Sequence, residues 1–209
     1  MAPVSTDLAS PVRDVAATRP DLRLILASAS PRRRELIGRL GIAPHAVTAA
    51  DIDETPAAGE APRAYARRMA REKALAAADD SAHVLAGDTV VACGRRILPK
   101  AEDEATASAC LALLSGRRHR VLSAIALRAP DGTLRERLSE TVVRFKSLSP
   151  EEIEAYIAGG EWDGKAGGYA IQGSAEGLIA EIAGSHSGVV GLPLFETRAL
   201  LKAAGFAIG

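Results

Sequence analysis

A chain of 209 residues with 47% hydrophobic side chains can bury a substantial core, and with only 3% aromatics that core is aliphatic. Lys plus Arg and Asp plus Glu each number 26, for a net charge of zero, which argues against a protein that coats nucleic acid, because such domains carry a basic excess. Cys93 and Cys110 supply neither a disulfide framework nor metal-ligand spacing, and no apolar run reaches the ~18–20 residues of a membrane span.

Residues 1–21 mix Ser, Pro, Asp and Arg without the apolar stretch of a signal peptide. They are expected to form a loosely ordered head on a cytoplasmic protein, ahead of one domain over residues 22–209. The domain opens on a short apolar run, 22–27, that reads as a strand passing through a core. A helix follows, with Ser30 as N-cap, Pro31 at its first position, Leu36, Ile37 and Leu40 on one face, and Gly41 at its stop. The junction gathers backbone N–H groups, the hydroxyls of Ser28 and Ser30, and the guanidinium groups of Arg32 and Arg33. Cations in a first helical turn oppose the helix dipole, and a bound phosphate would offset that cost.

Residues 42–48 read as a strand, and the acidic segment Asp51-Ile52-Asp53-Glu54 after it is either a metal-binding loop or a plain surface turn. The spacing predicts a helix over 62–78, with Tyr65, Ala66, Met69, Ala70, Ala76 and Ala77 forming an apolar stripe. Lys73 falls inside that stripe, so its ammonium either snorkels to the edge or meets a negative partner within. Glu72 is one candidate partner, although it is equally placed to pair with Arg68. Residues 83–93 form a near-continuous apolar run, the pattern of a strand covered on both faces. Asp88 interrupts it, either as a carboxylate held by cations for base chemistry or at a harmless bulge.

A hairpin at 93–96, a helix over 102–114, strands at 120–128 and 134–148, and a capped helix from Ser149 to Gly159 follow in order. The glycine-dense stretch 163–173, carrying Lys165 and Gln172, allows close approach of backbone to a ligand. A strand at 178–182 and a second glycine-rich approach, 184–193, lead to a last helix expected to turn Leu194, Phe195 and Leu201 inward. His186 reads as a surface residue. Alternating strands and helices followed by an antiparallel ribbon predict a mixed α/β (α+β) fold in two lobes, with a large central sheet and a cleft between them.

Four ordered blocks carry a resemblance: Ser28-x-Ser30-Pro31-Arg32-Arg33, Arg71-Glu72-Lys73-Ala74, Gly87-Asp88-Thr89, and the run from Lys165 through Gln172 to Gly173, with Val190-Gly191-Leu192-Pro193-Leu194 closing the match. In these the chain, from about 24 to 206, resembles the Maf proteins, nucleoside triphosphate pyrophosphatases that remove non-standard or surplus nucleotides. The resemblance implies the two-lobed fold shared with inosine triphosphatases, a homodimer, and cleavage between the α and β phosphates with Mg²⁺ or Mn²⁺ as cofactor. It makes Asp88 the proton acceptor, assigns triphosphate binding to Ser28, Arg32, Arg33, Lys73 and Lys100, and gives the metal to Asp88 with Glu54. Arg32, Thr89 and Gln172 look like the specificity residues of the dTTP/UTP branch. The alternatives are the branch acting on 7-methyl-GTP and a septum-formation regulator that works by binding; neither a nucleic-acid nor a membrane partner is expected. Ala101 where the family usually has proline, Gly168 where alanine is common, and His186 in place of a usual tyrosine depart from the pattern.

Overall fold

The structure is a computed structural model describing residues 22–208; the expected N-terminal head lies outside them. Strands β1 (Leu24–Ala27), β2 (Ala46–Val47) and β3 (His83–Cys93) are parallel, as crossovers through helices α1 (Pro31–Gly38) and α2 (Pro62–Ala76) require. Of the strand expected over 42–48, only Ala46 and Val47 join the sheet. A tight turn brings β4 (Arg96–Ile97) back along the end of β3. Strands β6 (Arg118–Arg128), β7 (Leu134–Phe145) and β9 (Ile179–Ala183) complete a seven-stranded mixed sheet in the order β2-β1-β3-β6-β7-β9. A separate two-stranded ribbon pairs β5 (Lys100–Ala101) with β8 (Lys165–Ala166).

Three apolar clusters account for the layers. On one face of the sheet, α2 buries Tyr65, Ala66, Met69, Ala70 and Ala74 against Ile25, Val84, Ala86, Val90 and Ala124. Ala77 packs half-buried beside them, whereas Ala76, expected in the stripe, is exposed as the last residue of the helix. On the opposite face, α1 and α6 (Leu194–Ala203) cover Leu24, Leu26, Leu85 and Ile125 with Leu36, Ile37, Leu200 and Leu201. Phe195 departs from expectation: it is 82% exposed, because Thr197, Leu200 and Leu201 form the buried side of α6.

The third cluster is the core of a second lobe. Helices α3 (Glu104–Leu114) and α4 (Pro150–Ala158) bury Cys110, Leu111, Leu114 and Tyr156 against Val91, Val121, Val143 and Phe145. The predicted capping box holds α4: Ser149 Oγ accepts from the Glu152 N–H, and Glu152 accepts from the Ser149 N–H. The two cysteines are free thiols, Cys110 buried and Cys93 partly so. Among the described residues, no helix is long and apolar enough to cross a membrane.

His119 lies inside this lobe, where its Nε2 meets the Tyr169 hydroxyl at 2.8 Å and its ring stacks on Phe145. Its Nδ1 is buried without a hydrogen-bond partner among the described residues. Burial pulls the imidazole pKa down from 6.5 to about 4. Between those values the unfolded chain binds the proton more readily, so acid removes stability, about 3 kcal/mol once pH falls to the folded value. His119→Leu should therefore flatten the loss of folding free energy between about pH 7 and pH 4 by that amount. Chemical denaturation across the range measures it, and an unchanged slope would refute the assignment.

Candidate active site

The site lies in a gap along one strand. β1 accompanies β3 only as far as Ala27 opposite Ala86, and β4 joins the same edge at Ala92. Between them, residues 87–90 of β3 have, among the described residues, a strand neighbour on the β6 side alone, while the Val91 carbonyl accepts from the Leu98 N–H just past β4. A cavity of about 390 Å³ opens over this gap, within the size range of small-molecule sites. Strand alternation turns Asp88 toward α2, with Val84, Ala86 and Val90, and Thr89 toward the opposite face. Both reach the cavity because the missing neighbour leaves the edge open.

Asp88 sits in unbroken register opposite Ala124 of β6, which removes the bulge alternative. It is 6% exposed, and its Oδ1 accepts from Lys73 Nζ at 2.7 Å. Lys73, 7% exposed, is the inward lysine of α2, and its ammonium also contacts Glu54 Oε1 at 2.8 Å. Glu54 Oε2 in turn accepts from Lys100 Nζ at 2.7 Å. A charge-alternating row, Asp88–Lys73–Glu54–Lys100, thus crosses the cavity wall. Glu72, the other candidate for Lys73, pairs with Arg68.

The irregular segment carrying Glu54 is tied down from α2. The Tyr65 hydroxyl donates to the Glu54 carbonyl at 2.7 Å, and Arg68 donates to the Thr55 carbonyl and both carboxylate oxygens of Glu60. Partial burial raises the Glu54 carboxyl pKa, but hydrogen bonds from Lys100 and Lys73 outweigh it and hold the group at about 2. Burial and the charges of Asp88 and Glu54 push the Tyr65 hydroxyl up to about 12.

On the far side of β3, Arg33 is a clasp. Its Nε donates to the Gly191 carbonyl at 2.8 Å, Nη1 to Ser28 Oγ at 3.0 Å, and Nη2 to Thr89 Oγ1 at 3.5 Å. A guanidinium has five N–H donors, so two remain for a ligand. Burial lowers its pKa and the Asp88 charge opposes that shift, so the two faces of β3 feel each other across the gap. Ser30 does sit at the N-cap of α1, but its hydroxyl makes no capping bond; its N–H donates to Ser28 Oγ instead.

Arg32 lines the cavity next to this clasp, and Lys165 of β8 lines it from the second lobe. Burial and the nearby Arg32 charge lower the Lys165 pKa. Among the described residues that line the cavity, Arg32, Arg33, Lys73, Lys100 and Lys165 face two ionised carboxylates, Glu54 and Asp88, which suits a polyanion. The glycine-dense stretch reaches the cavity because Gly167, at φ +69°, lets backbone run against Val91, where a Cβ would lie 2.8 Å from Cγ1. Gly168 also has a positive φ, +70°, so glycine in place of the common alanine suits this backbone. Buried Tyr156 accepts from the Ala170 N–H at 3.0 Å, and Gln172 stands exposed at the rim.

The residues to which the family resemblance gives a role, Ser28, Arg32, Arg33, Glu54, Lys73, Asp88, Thr89, Lys100 and Gln172, all line this one cavity. Lys165, at the start of the glycine-dense stretch, adds a lining cation that the resemblance does not assign to the triphosphate. Within the glycine-rich approach expected over 184–193, residues His186–Val190 form a short helix, α5, that puts Val189 and Val190 on the cavity wall. His186 is exposed, as expected.

The family described as Maf-like protein matches residues 23–204. The chain belongs to the Maf family. Among relatives of this Maf protein, one from Novosphingobium aromaticivorans named dTTP/UTP pyrophosphatase is 69% identical over 94% of this chain and 96% of its own length. Proteins of the same name from Zymomonas mobilis and Rhodospirillum rubrum are 62% and 60% identical, over 88% and 92% of this chain and 93% and 92% of theirs. The solved structure of the Staphylococcus aureus Ham1 protein overlaps 59% of this chain and 71% of its own at 17% identity, with a TM-score of 0.43.

No group of three or more His, Cys, Asp or Glu side chains among the described residues is placed to cage a metal in this Maf protein. Asp88 and Glu54 nevertheless both lie within 2.8 Å of the one ammonium of Lys73, so a positive charge already sits between them. Two hard carboxylates completed by substrate phosphates is a donor set that fits Mg²⁺ or Mn²⁺.

Proposed function

We propose that this Maf protein hydrolyses nucleoside triphosphates, dTTP and UTP foremost, to the monophosphate and pyrophosphate. The observation carrying the reading is the buried Asp88 carboxylate, hydrogen-bonded to Lys73 and opening on a cavity whose other charges are mainly cationic. Arg32, Lys100, Lys165 and the two spare N–H groups of Arg33 hold the triphosphate tail, with Ser28 at its edge. Asp88 takes the proton of a water beside the α-phosphorus. The water oxygen bonds to phosphorus, the bond to the bridging oxygen of the β-phosphate breaks, and its electron pair leaves with pyrophosphate. Lys73 and the arginines offset the charge that grows on the departing group.

A divalent cation, Mg²⁺ or Mn²⁺, would be held by Asp88 and Glu54 and, when bound, supplies further neutralisation of phosphate charge. Gln172 at the rim offers a donor and an acceptor to a pyrimidine edge, and the names of the relatives support the dTTP/UTP preference. Action on free nucleotides rather than nucleic acid accords with zero net charge and scarce aromatics, and a cytoplasmic site of action is part of the same proposal. A homodimeric state rests on the family resemblance.

A panel of nucleoside triphosphates assayed for pyrophosphate release with Mg²⁺ and with Mn²⁺ tests the reading. dTTP and UTP should lead. Activity confined to 7-methyl-GTP would reverse the roles given to Arg32, Thr89 and Gln172, and no release from any nucleotide would favour a protein acting by binding.

A further inference from the structure

Ser123 lies on β6, directly opposite Thr89 of β3, and is 1% exposed. It does not line the cavity, and its hydroxyl links two segments that do. Ser123 Oγ donates to the Gly188 carbonyl of α5. Its single proton is then committed, so the 3.1 Å contact with Thr89 Oγ1 must be a bond that Thr89 donates. With its own proton spent on Ser123, Thr89 Oγ1 is free to accept from Arg33 Nη2. The hydrogen-bond directions form one consistent sequence, Arg33 to Thr89 to Ser123 to Gly188. Arg33 closes the loop through its 2.8 Å bond to Gly191, just past the end of α5.

We infer that Ser123 is a positioning residue that sets substrate affinity by holding the Arg33 guanidinium and the α5 wall of the cavity in one arrangement. The inference deepens the proposed function, because it assumes that the cavity binds the triphosphate of a nucleotide. It also gives Thr89 a different role from direct contact with the base. The Thr89 hydroxyl is engaged with protein on its donor and acceptor sides, so its influence on selection passes through Arg33 and α5. Removing the Ser123 hydroxyl leaves the Gly188 carbonyl without its donor and lets the Thr89 proton turn to the Gly191 carbonyl, 3.4 Å away. Thr89 would then share that oxygen with Arg33 Nε and no longer be held toward β6 as the acceptor for Arg33 Nη2, loosening the clasp. Lys73 and Asp88, on the opposite face of β3, are left in place.

Ser123→Ala should bind inorganic tripolyphosphate about tenfold more weakly by calorimetry, a change of about 1.4 kcal/mol. Its KM for dTTP should rise by a similar factor while kcat stays within about twofold. Ser123→Thr, which keeps the hydroxyl, should restore both. Thr89→Val should weaken tripolyphosphate binding too, and the double variant should be no worse than the more affected single one. A Ser123→Ala protein that melts lower yet binds tripolyphosphate as wild type does would make Ser123 a packing residue and overturn the inference. Because the calorimetric arm needs no turnover, wild-type protein inactive on every nucleotide would remove the proposed function and leave this test intact.

Discussion

Asp88→Asn is expected to lower kcat for pyrophosphate release by about 10²–10⁴-fold, the range a positioned general base contributes. Asparagine keeps the shape of the side chain and still presents a carbonyl oxygen to Lys73, which retains Glu54 as a charged partner. The fold should therefore survive, and a thermal melt should show it. Affinity for a non-hydrolysable dUTP analogue measured without metal should hold or improve, since one of only two carboxylates in a cationic cavity has been neutralised. The contrast between binding and turnover is the diagnostic. If the variant releases pyrophosphate at the wild-type rate, the base is another group and the mechanism above is wrong.

Lys73→Met should cost both stability and turnover. Methionine replaces the apolar stem of the lysine within the seam of α2, so little packing is lost. What disappears is the ammonium between Asp88 and Glu54, leaving two carboxylates facing each other. Breaking a buried pair in this way destabilises by about 3–5 kcal/mol, because the remaining charge is uncompensated. For a domain of this size that lowers the melting temperature by roughly 6–20 °C. Pairing it with Asp88→Asn should recover part of the loss, since the uncompensated charge is then gone. Denaturant melts of the two single variants and the double compare these energies directly. A Lys73→Met protein as stable as wild type would show that the ammonium is not what holds the carboxylates.

The parts of this site that were legible in the sequence are those where a local pattern is broken. Lys73 stands out because it breaks a helical stripe of alanines and Met69, where an ammonium must either snorkel out or meet a negative partner. Asp88 stands out in the same way within a run of buried strand residues. Both anomalies resolve into one contact, a carboxylate and an ammonium 2.7 Å apart. Glu54 was harder to read, because its segment has no periodicity and its carboxylate meets Lys100 46 residues away. Arg33 joins Gly191 across 158 residues, and no local feature records that pairing. Ser123 was invisible for another reason: a serine among apolar strand residues is common, and only the donor directions of its neighbours give it a role. Phe195 misled because a phenylalanine early in a helix normally faces the core, whereas here Thr197 takes the buried place with its hydroxyl bonded to the Pro193 carbonyl.

The unpaired edge of β3 has one more consequence. Residue 88 is held by the β6 register and by Lys73 of α2, whereas the facing walls come from 165–172 and 189–191, the latter tied to the other face of β3 through Ser123, Thr89 and Arg33. Substitutions at the Gln172 rim are expected to leave the Asp88–Lys73 contact in place. Under the proposed function, the choice of base at that rim and the proton transfer at residue 88 would then be open to change one at a time.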